Sequence, residues 1–404
     1  MFKSFFYRIL QRRHFWRYAT FSEISELYIS KTIRTIAMSI VSGFTAVYLY
    51  QEGYSLAFIM GFFLCYYLVK IPLSFFAGSL VVRFGPKYCI LLSNLLYIPS
   101  MISLGLMPNL GIASVVLWGV FMCLSTSIYL ISYLVDFSKV KNVEHAGKEI
   151  AFMNIFENIA FGISPIIGGL IALWFGLQSV MWIAAFLFIF SALPLIWSVK
   201  FTDNHQKIKF VGFPWKTTIS SIIAQVGIGF DYVTTELVWS LFIVIVIFPK
   251  VGWGIYVKLG VLSSVTILAA IFVSYIYGKL IDNKKGGDLL RISVIANAVV
   301  HITRPFVNSA MLIVGTNIVN QTAAVGYGMS FTRGVFDTAD LSGNRILYLC
   351  VSGAVASLGS AVACLVLLLG SMFLGNINGL KIFFIAAAAF VLLIGTARFN
   401  IYRK

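Results

Sequence analysis

Twelve times along its 404 residues the sequence runs for about 20 positions that are almost wholly apolar, the length a helix needs to cross the hydrocarbon of a bilayer. These runs lie near 27–50, 55–80, 88–107, 110–135, 149–173 and 178–198, then 216–248, 256–281, 289–306, 309–333, 345–370 and 378–400. Each is continuous rather than alternating in polarity, which favours helices over a barrel. Charged residues make up 11% of the chain and hydrophobic ones 60%, against about 25% charged in a soluble domain. The lipid bilayer is therefore the partner of most of the surface.

Net charge is +16, yet the cations do not form one basic face, so nucleic acid is not expected as a partner. They cluster in alternate loops: the N-terminal segment, Arg83 and Lys87, Lys139, Lys141 and Lys148, Lys200 to Lys216, Lys279 to Arg291, Arg345, and Arg403 with Lys404. The intervening loops YQEGYS, MPNLG and WFGLQS carry no Lys or Arg, and only Lys250, Lys258 and Lys381 break the rule. Cations resist translocation, so both termini are expected in the cytoplasm, in a bacterial inner membrane. Residues 1–22 alternate Lys and Arg with Phe, Leu and Trp, as an interfacial amphipathic segment does. The five cysteines sit in or beside apolar runs without metal-ligand spacing and read as buried hydrophobes.

The polar stretch KFTDNHQKIKFVGFPWK, Lys200 to Lys216, divides the chain almost in half, and Gly78-Ser-Leu80 is echoed 200 residues later by Gly278-Lys-Leu280. The expected architecture is all-α: twelve transmembrane helices in two pseudo-symmetric six-helix bundles, 23–199 and 216–404, joined by a linker over 200–215.

On these motifs the sequence resembles the major facilitator superfamily. The family's loop between its second and third helices reads Gly-x-Leu-x-Asp-Arg-x-Gly-Arg-Lys. Here Gly78, Leu80, Arg83, Gly85 and Lys87 match it, with Val82 at the Asp position and Pro86 at the second Arg. In the second half Gly278, Leu280 and Asp282 match, with Asn283 in place of the Arg. The fifth run, FGISPIIGGLIA, is similar to the family's fifth-helix motif, with Ser164 before Pro165. Gly162, Pro165 and Gly169 fall on one helical stripe with Gly168 beside it, suiting either a moving bundle interface or static close packing. The resemblance implies alternating access, a cavity lined by the first, fourth, seventh and tenth spans, and an interface made by the second with the eleventh and the fifth with the eighth. It also implies that the loop acid and Arg latch the bundles. Because Val82 removes the acid in the first copy, Asp282 is expected to carry the gating charge.

Ionisable groups inside spans are costly and default to functional candidates. Asn154, Glu157 and Asn158 share one face of the fifth span, and Arg34, near Lys31 in the first, is a candidate partner for Glu157. Glu157, Asp231 and Arg34 are the proton- or ion-coupling candidates. In the seventh span Asp231 and Thr235 share a face, whereas Glu236 lies about 140° away on an α-helix, near the outer interface, so the two acids are not expected to form one site. Gly227 and Gly229 just before them are candidate helix breakers. The tenth span supplies Asn317, Asn320 and Gln321 to a polar mid-membrane patch, and the second supplies Lys70 before Pro72. His301 and Arg304 are expected to be peripheral, with an Asp231–Arg304 pair as the rival arrangement.

No phosphate loop or His-Glu-x-x-His run is present, so neither enzyme chemistry, cofactor nor metal is expected. The reading is a monomeric secondary transporter of a small, amphipathic organic solute, exported in exchange for protons. Alternatives are uptake or facilitated diffusion of a sugar, amino acid or organic ion, a flippase for a lipid-like solute, and, outside this class, a channel or a membrane scaffold.

Overall fold

The computed structural model describes residues 23–140, 146–196, 210, 212–249 and 254–402. The N-terminal amphipathic segment and most of the expected linker lie outside them. The N-terminal half contributes α1 (Glu23–Gln51), α2 (Leu56–Phe84), α3 (Pro86–Gly105), α4 (Ile112–Val140), α5 (Ala146–Phe175) and α6 (Leu177–Ile196). From the C-terminal half come α7 (Trp215–Val233, continuing to Ile247), α8 (Ile255–Val265 and Ile267–Asp282), α9 (Gly286–Thr303), α10 (Ala310–Leu341), α11 (Arg345–Leu374) and α12 (Asn376–Leu392). Among the described residues nine helices are long and apolar enough to span a membrane. The remaining three positions are taken by α8, interrupted at Thr266, by the 18-residue α9, and by α10, whose Asn317, Asn320 and Gln321 dilute its apolar character.

Local sequence sets the boundaries. Ser55 caps α2 by accepting from the Phe58 amide, and Ser309 caps α10 by accepting from Leu312. Gly85, at φ 86°, ends α2 and hands over to Pro86 at the first turn of α3, a conformation that favours a residue without Cβ. The same helix–turn–helix joint recurs. Lys284 (φ 60°) between α8 and α9 stands 199 residues after Gly85, and Gly375 (φ 77°) between α11 and α12 stands 199 after Gly176 (φ 78°). Two left-handed joints at one offset support the internal repeat more firmly than the Gly-x-Leu echo alone.

Close backbone approach fixes the packing. Ala77 and Val81 of α2 join a core with Leu347, Cys350 and Val351 of α11, with Gly78 buried beside them. A Cβ on Gly168 of α5 would stand 2.5 Å from the Ile40 carbonyl of α1; one on Gly169 would stand 2.8 Å from the Tyr256 carbonyl of α8. Gly260 of α8 meets the Pro165 carbonyl in return. The second–eleventh and fifth–eighth pairings expected from the sequence are therefore present. Gly227 and Gly229 do not break α7. They let it approach α12 and α11 instead: a Cβ on Gly229 would overlap the Ala356 carbonyl, and Ser360 Oγ donates to the Gly229 carbonyl at 2.8 Å.

Both ends of the seam between the halves are bridged. On the side of the chain ends, the rings of Phe137 in α4 and Phe336 in α10 lie 5.4 Å apart. On the opposite side Phe44 of α1 meets Tyr256 of α8 edge-on at 5.2 Å, and the Tyr256 hydroxyl donates to Gln51 at 2.6 Å. The cavities between the halves lie between these two sets of contacts.

Candidate functional site

The deepest charges in the C-terminal half form one hydrogen-bonded chain. Asp231 of α7 is 3% exposed, His301 of α9 is fully buried and Arg304 is 1% exposed. Asp231 Oδ1 accepts from Asn297 Nδ2 at 3.0 Å and is 2.6 Å from His301 Nε2, while its Oδ2 accepts from the Tyr327 hydroxyl of α10. Arg304 lies 3.1 Å from His301 Nδ1. A guanidinium can only donate, so Nδ1 accepts and the imidazole hydrogen sits on Nε2, pointing at Asp231. Neutral His301 thus joins a buried cation to a buried anion. Arg304 also lies over the Trp239 ring at 4.7 Å, and Trp239 Nε1 donates to Asn317 at 2.8 Å. His301 and Arg304 are central, not peripheral, and Arg304 reaches Asp231 through the imidazole.

Helix α7 departs from α geometry here. Thr234–Val238 forms a π turn, as does Ile243–Ile247. The wider turn absorbs an extra residue and swings Glu236 back towards the face a residue four positions on would take. Asp231, Thr235 and Glu236 consequently line one cavity, of about 240 Å³, together with Asn154, Glu157 and Asn158. The expectation that the two acids are unrelated assumed uninterrupted α-helix and is corrected. Glu236 is also at the wall of the chamber rather than at the outer interface.

A second cavity, of about 190 Å³, shares Phe161, Thr235, Glu236 and Gln321 with the first and adds Pro165, Trp239, Arg304, Asn317 and Asn320. Its walls come from α1, α5, α7, α8 and α10 and from Arg304 just beyond α9; among the described residues no α4 side chain lines either cavity. The expected lining by the fourth span is not seen in these two cavities; its Phe137 instead faces Phe336 of α10. Gln321 donates to Asn158 across the halves at 3.1 Å, and Asn154 returns its amide to the Ile150 carbonyl.

In the N-terminal half the charges pair differently from expectation. Glu157 is ion-paired with Lys31, not Arg34. Lys31 and Arg34 differ by about 60° around α1. That places Lys31 against α5 and over the Tyr133 ring at 3.9 Å, and turns Arg34 inward. Arg34, 2% exposed, donates to Asn94 at 2.6 Å, lies 3.4 Å from Ser125 Oγ and stacks on Tyr129 at 3.8 Å, with no carboxylate partner among the described residues. Lys70 is half-buried above the rings of Tyr66 and Tyr67.

The loop motif sits apart from the cavities. Arg83 lies over Phe84, Lys87 follows Pro86 in the first turn of α3, and Asp282 ends α8. Gly278 is buried one turn earlier, and Gly162, Pro165, Gly168 and Gly169 all lie within α5. Asn297 and Tyr327 were not singled out in the sequence. Their only signal is a polar group on a helix that otherwise reads as packing.

The sequence profile of the Major Facilitator Superfamily matches residues 27–363. The fold is similar to that of the human organic anion transporter MFSD10 (TETRAN), at TM-score 0.69 and 10% identity over 92% of this chain and 97% of that one. A bacterial homologue of the iron transporter ferroportin in an outward-facing state superimposes at 0.68, with 12% identity over 92% and 97%. A variant of the E. coli fucose:proton symporter FucP does so at 0.64, with 13% identity over 92% and 98%. Among curated proteins no sequence match is found.

Proposed function

This chain belongs to the major facilitator superfamily and is an integral membrane transporter; from that premise we propose that it is a proton-coupled carrier of a small polar solute. The solute occupies the chamber between bundles 23–199 and 216–404, whose termini face the cytoplasm as the loop cations require.

One observation carries the coupling: His301 Nδ1 holds a single hydrogen-bond position, filled by Arg304. A proton arriving at Nδ1 displaces Arg304, and Arg304 borders the solute cavity. Proton binding and the charge presented to solute are thus two readings of one contact. Asp231 holds the imidazole and balances its charge when protonated. Glu157, on the facing wall and paired with Lys31, is the second carboxylate exposed to the chamber. Arg34, bordering neither cavity, braces α1 against α3 and α4.

The mixed wall, with Thr235, Glu236, Asn317, Asn320 and Gln321 among Phe44, Phe161 and Trp239, favours a polar solute. The three aromatic rings keep export of an amphipathic solute as the second reading. Solute-driven proton movement in proteoliposomes, measured with a trapped pH dye over a panel of polar solutes, tests the proposal. Wild type should couple. Asp231→Asn should not, and a fully coupled Asp231→Asn would remove the basis for this assignment.

A further inference from the structure

Three carboxylates face the chamber and two are spoken for: Glu157 by Lys31, Asp231 by Asn297, His301 and Tyr327. The third, Glu236, has no hydrogen bond or ion pair on its side chain among the described residues, and it lines both cavities. Around it in the 190 Å³ cavity, Thr235 Oγ1 and Asn320 Oδ1 are buried without a hydrogen-bond partner, and Asn320 is 3% exposed. Buried polar atoms are normally satisfied, so unmatched ones on a cavity wall describe the ligand that completes them. What is unmatched here is an anion and three acceptor-capable oxygens, the third being Ser39 Oγ of α1 on the same wall. Arg304 Nε is the unmatched N–H donor, and the Thr235 and Ser39 hydroxyls can donate as well as accept.

We infer that Glu236, Thr235 and Asn320 form the binding site for the primary ammonium group of a small solute. Three N–H donors on one cationic nitrogen match one carboxylate and two neutral oxygens, as a lysine ammonium does in proteins. A quaternary ammonium does not fit, because it has no hydrogen to give and the Trp239 face that could cradle it is covered by Arg304. The cavity is smaller than the roughly 300–1,000 Å³ of drug-sized sites, which restricts the solute to a compact amine. Any anionic group on the same solute is placed against Arg304 Nε. The inference rests on the carrier reading for its physiological sense, while the site is defined by these side chains alone.

The test is ligand-induced thermal stabilisation of the purified full-length chain in nanodiscs with ethanolamine, ethylene glycol, propionate, tetramethylammonium and sodium chloride. Ethanolamine should stabilise; the other four should not. Glu236→Gln should weaken the ethanolamine effect at least tenfold in midpoint concentration, Glu236→Asp should restore part of it, and Asn320→Ala should weaken it by a smaller factor. Stabilisation by ethylene glycol, tetramethylammonium or sodium equal to that by ethanolamine overturns the inference. So does an unchanged midpoint in Glu236→Gln, or no shift with any probe. Failure of the carrier reading looks different: ethanolamine binds through Glu236, but no solute moves protons in vesicles. Solute-driven proton movement by glycols, indifferent to Glu236→Gln, leaves the carrier and removes the ammonium site.

Discussion

Asp231 and Glu236, five residues apart on α7, face the same cavity because the turn that joins them is π-helical. Restoring α geometry should separate them by the 140° of an ordinary helix. Deleting Val238, which removes the extra residue while leaving both acids, is expected to abolish solute-driven proton movement. It should leave the protein membrane-inserted and monodisperse, as size-exclusion chromatography in detergent will show. Retained coupling in that deletion would mean the π turn has no part in the site.

The Lys31–Glu157 contact predicts an asymmetry between single and double variants. Glu157→Gln strands a lysine beside Tyr133, whereas Lys31→Met with Glu157→Gln removes both charges. Losing one partner of a poorly solvated pair is costlier than losing both. The single variant should be less stable than the double by about 1–3 kcal/mol, measured by thermal or chemical unfolding in detergent. Arg34→Gln should leave that difference unchanged, because Arg34 is not in the pair.

The closures at the two ends of the seam predict opposite changes in access. Phe336→Ala removes the ring facing Phe137 and should raise the labelling rate of a cysteine placed at Thr235 by a reagent added from the side of the termini. Tyr256→Phe cuts the link to Gln51 and should raise labelling from the other side. Equal labelling from both sides in both variants would contradict an alternating gate.

Gly229 packs so closely on Ala356 that a side chain has no room. Gly229→Val is expected to destabilise by about 1–3 kcal/mol through overpacking, with loss of the folded fraction on size exclusion. The same exchange at Gly315, which has open space around its Cβ position, should be tolerated.

Much of the fold was legible because lipid imposes a coarse rule: each span must be long, apolar and helical. Twelve runs and the basic turns between them followed directly. The left-handed joints at Gly85 and Gly176 showed in sequence as glycines, but the matching joint at Lys284 did not, since lysine rarely adopts that conformation. The site was legible as a list of residues and not as a set of partners. Asp231, Glu157 and Glu236 were found because charge in a membrane is conspicuous. Their pairings turned on rotations of about 60° between Lys31 and Arg34 and on one extra residue in a turn, neither of which periodicity resolves. His301 looked peripheral because it lies near the outer end of the ninth span, and only the folded arrangement brought it against Asp231.

The most direct measurement is the number of protons moved per solute in proteoliposomes, wild type against His301→Gln. Glutamine can keep a hydrogen bond to Asp231 but cannot take a proton at the position of Nδ1. The expected result is that His301→Gln still exchanges solute down its own gradient while proton movement falls to the level of empty vesicles. Full proton movement per solute in His301→Gln would contradict the account.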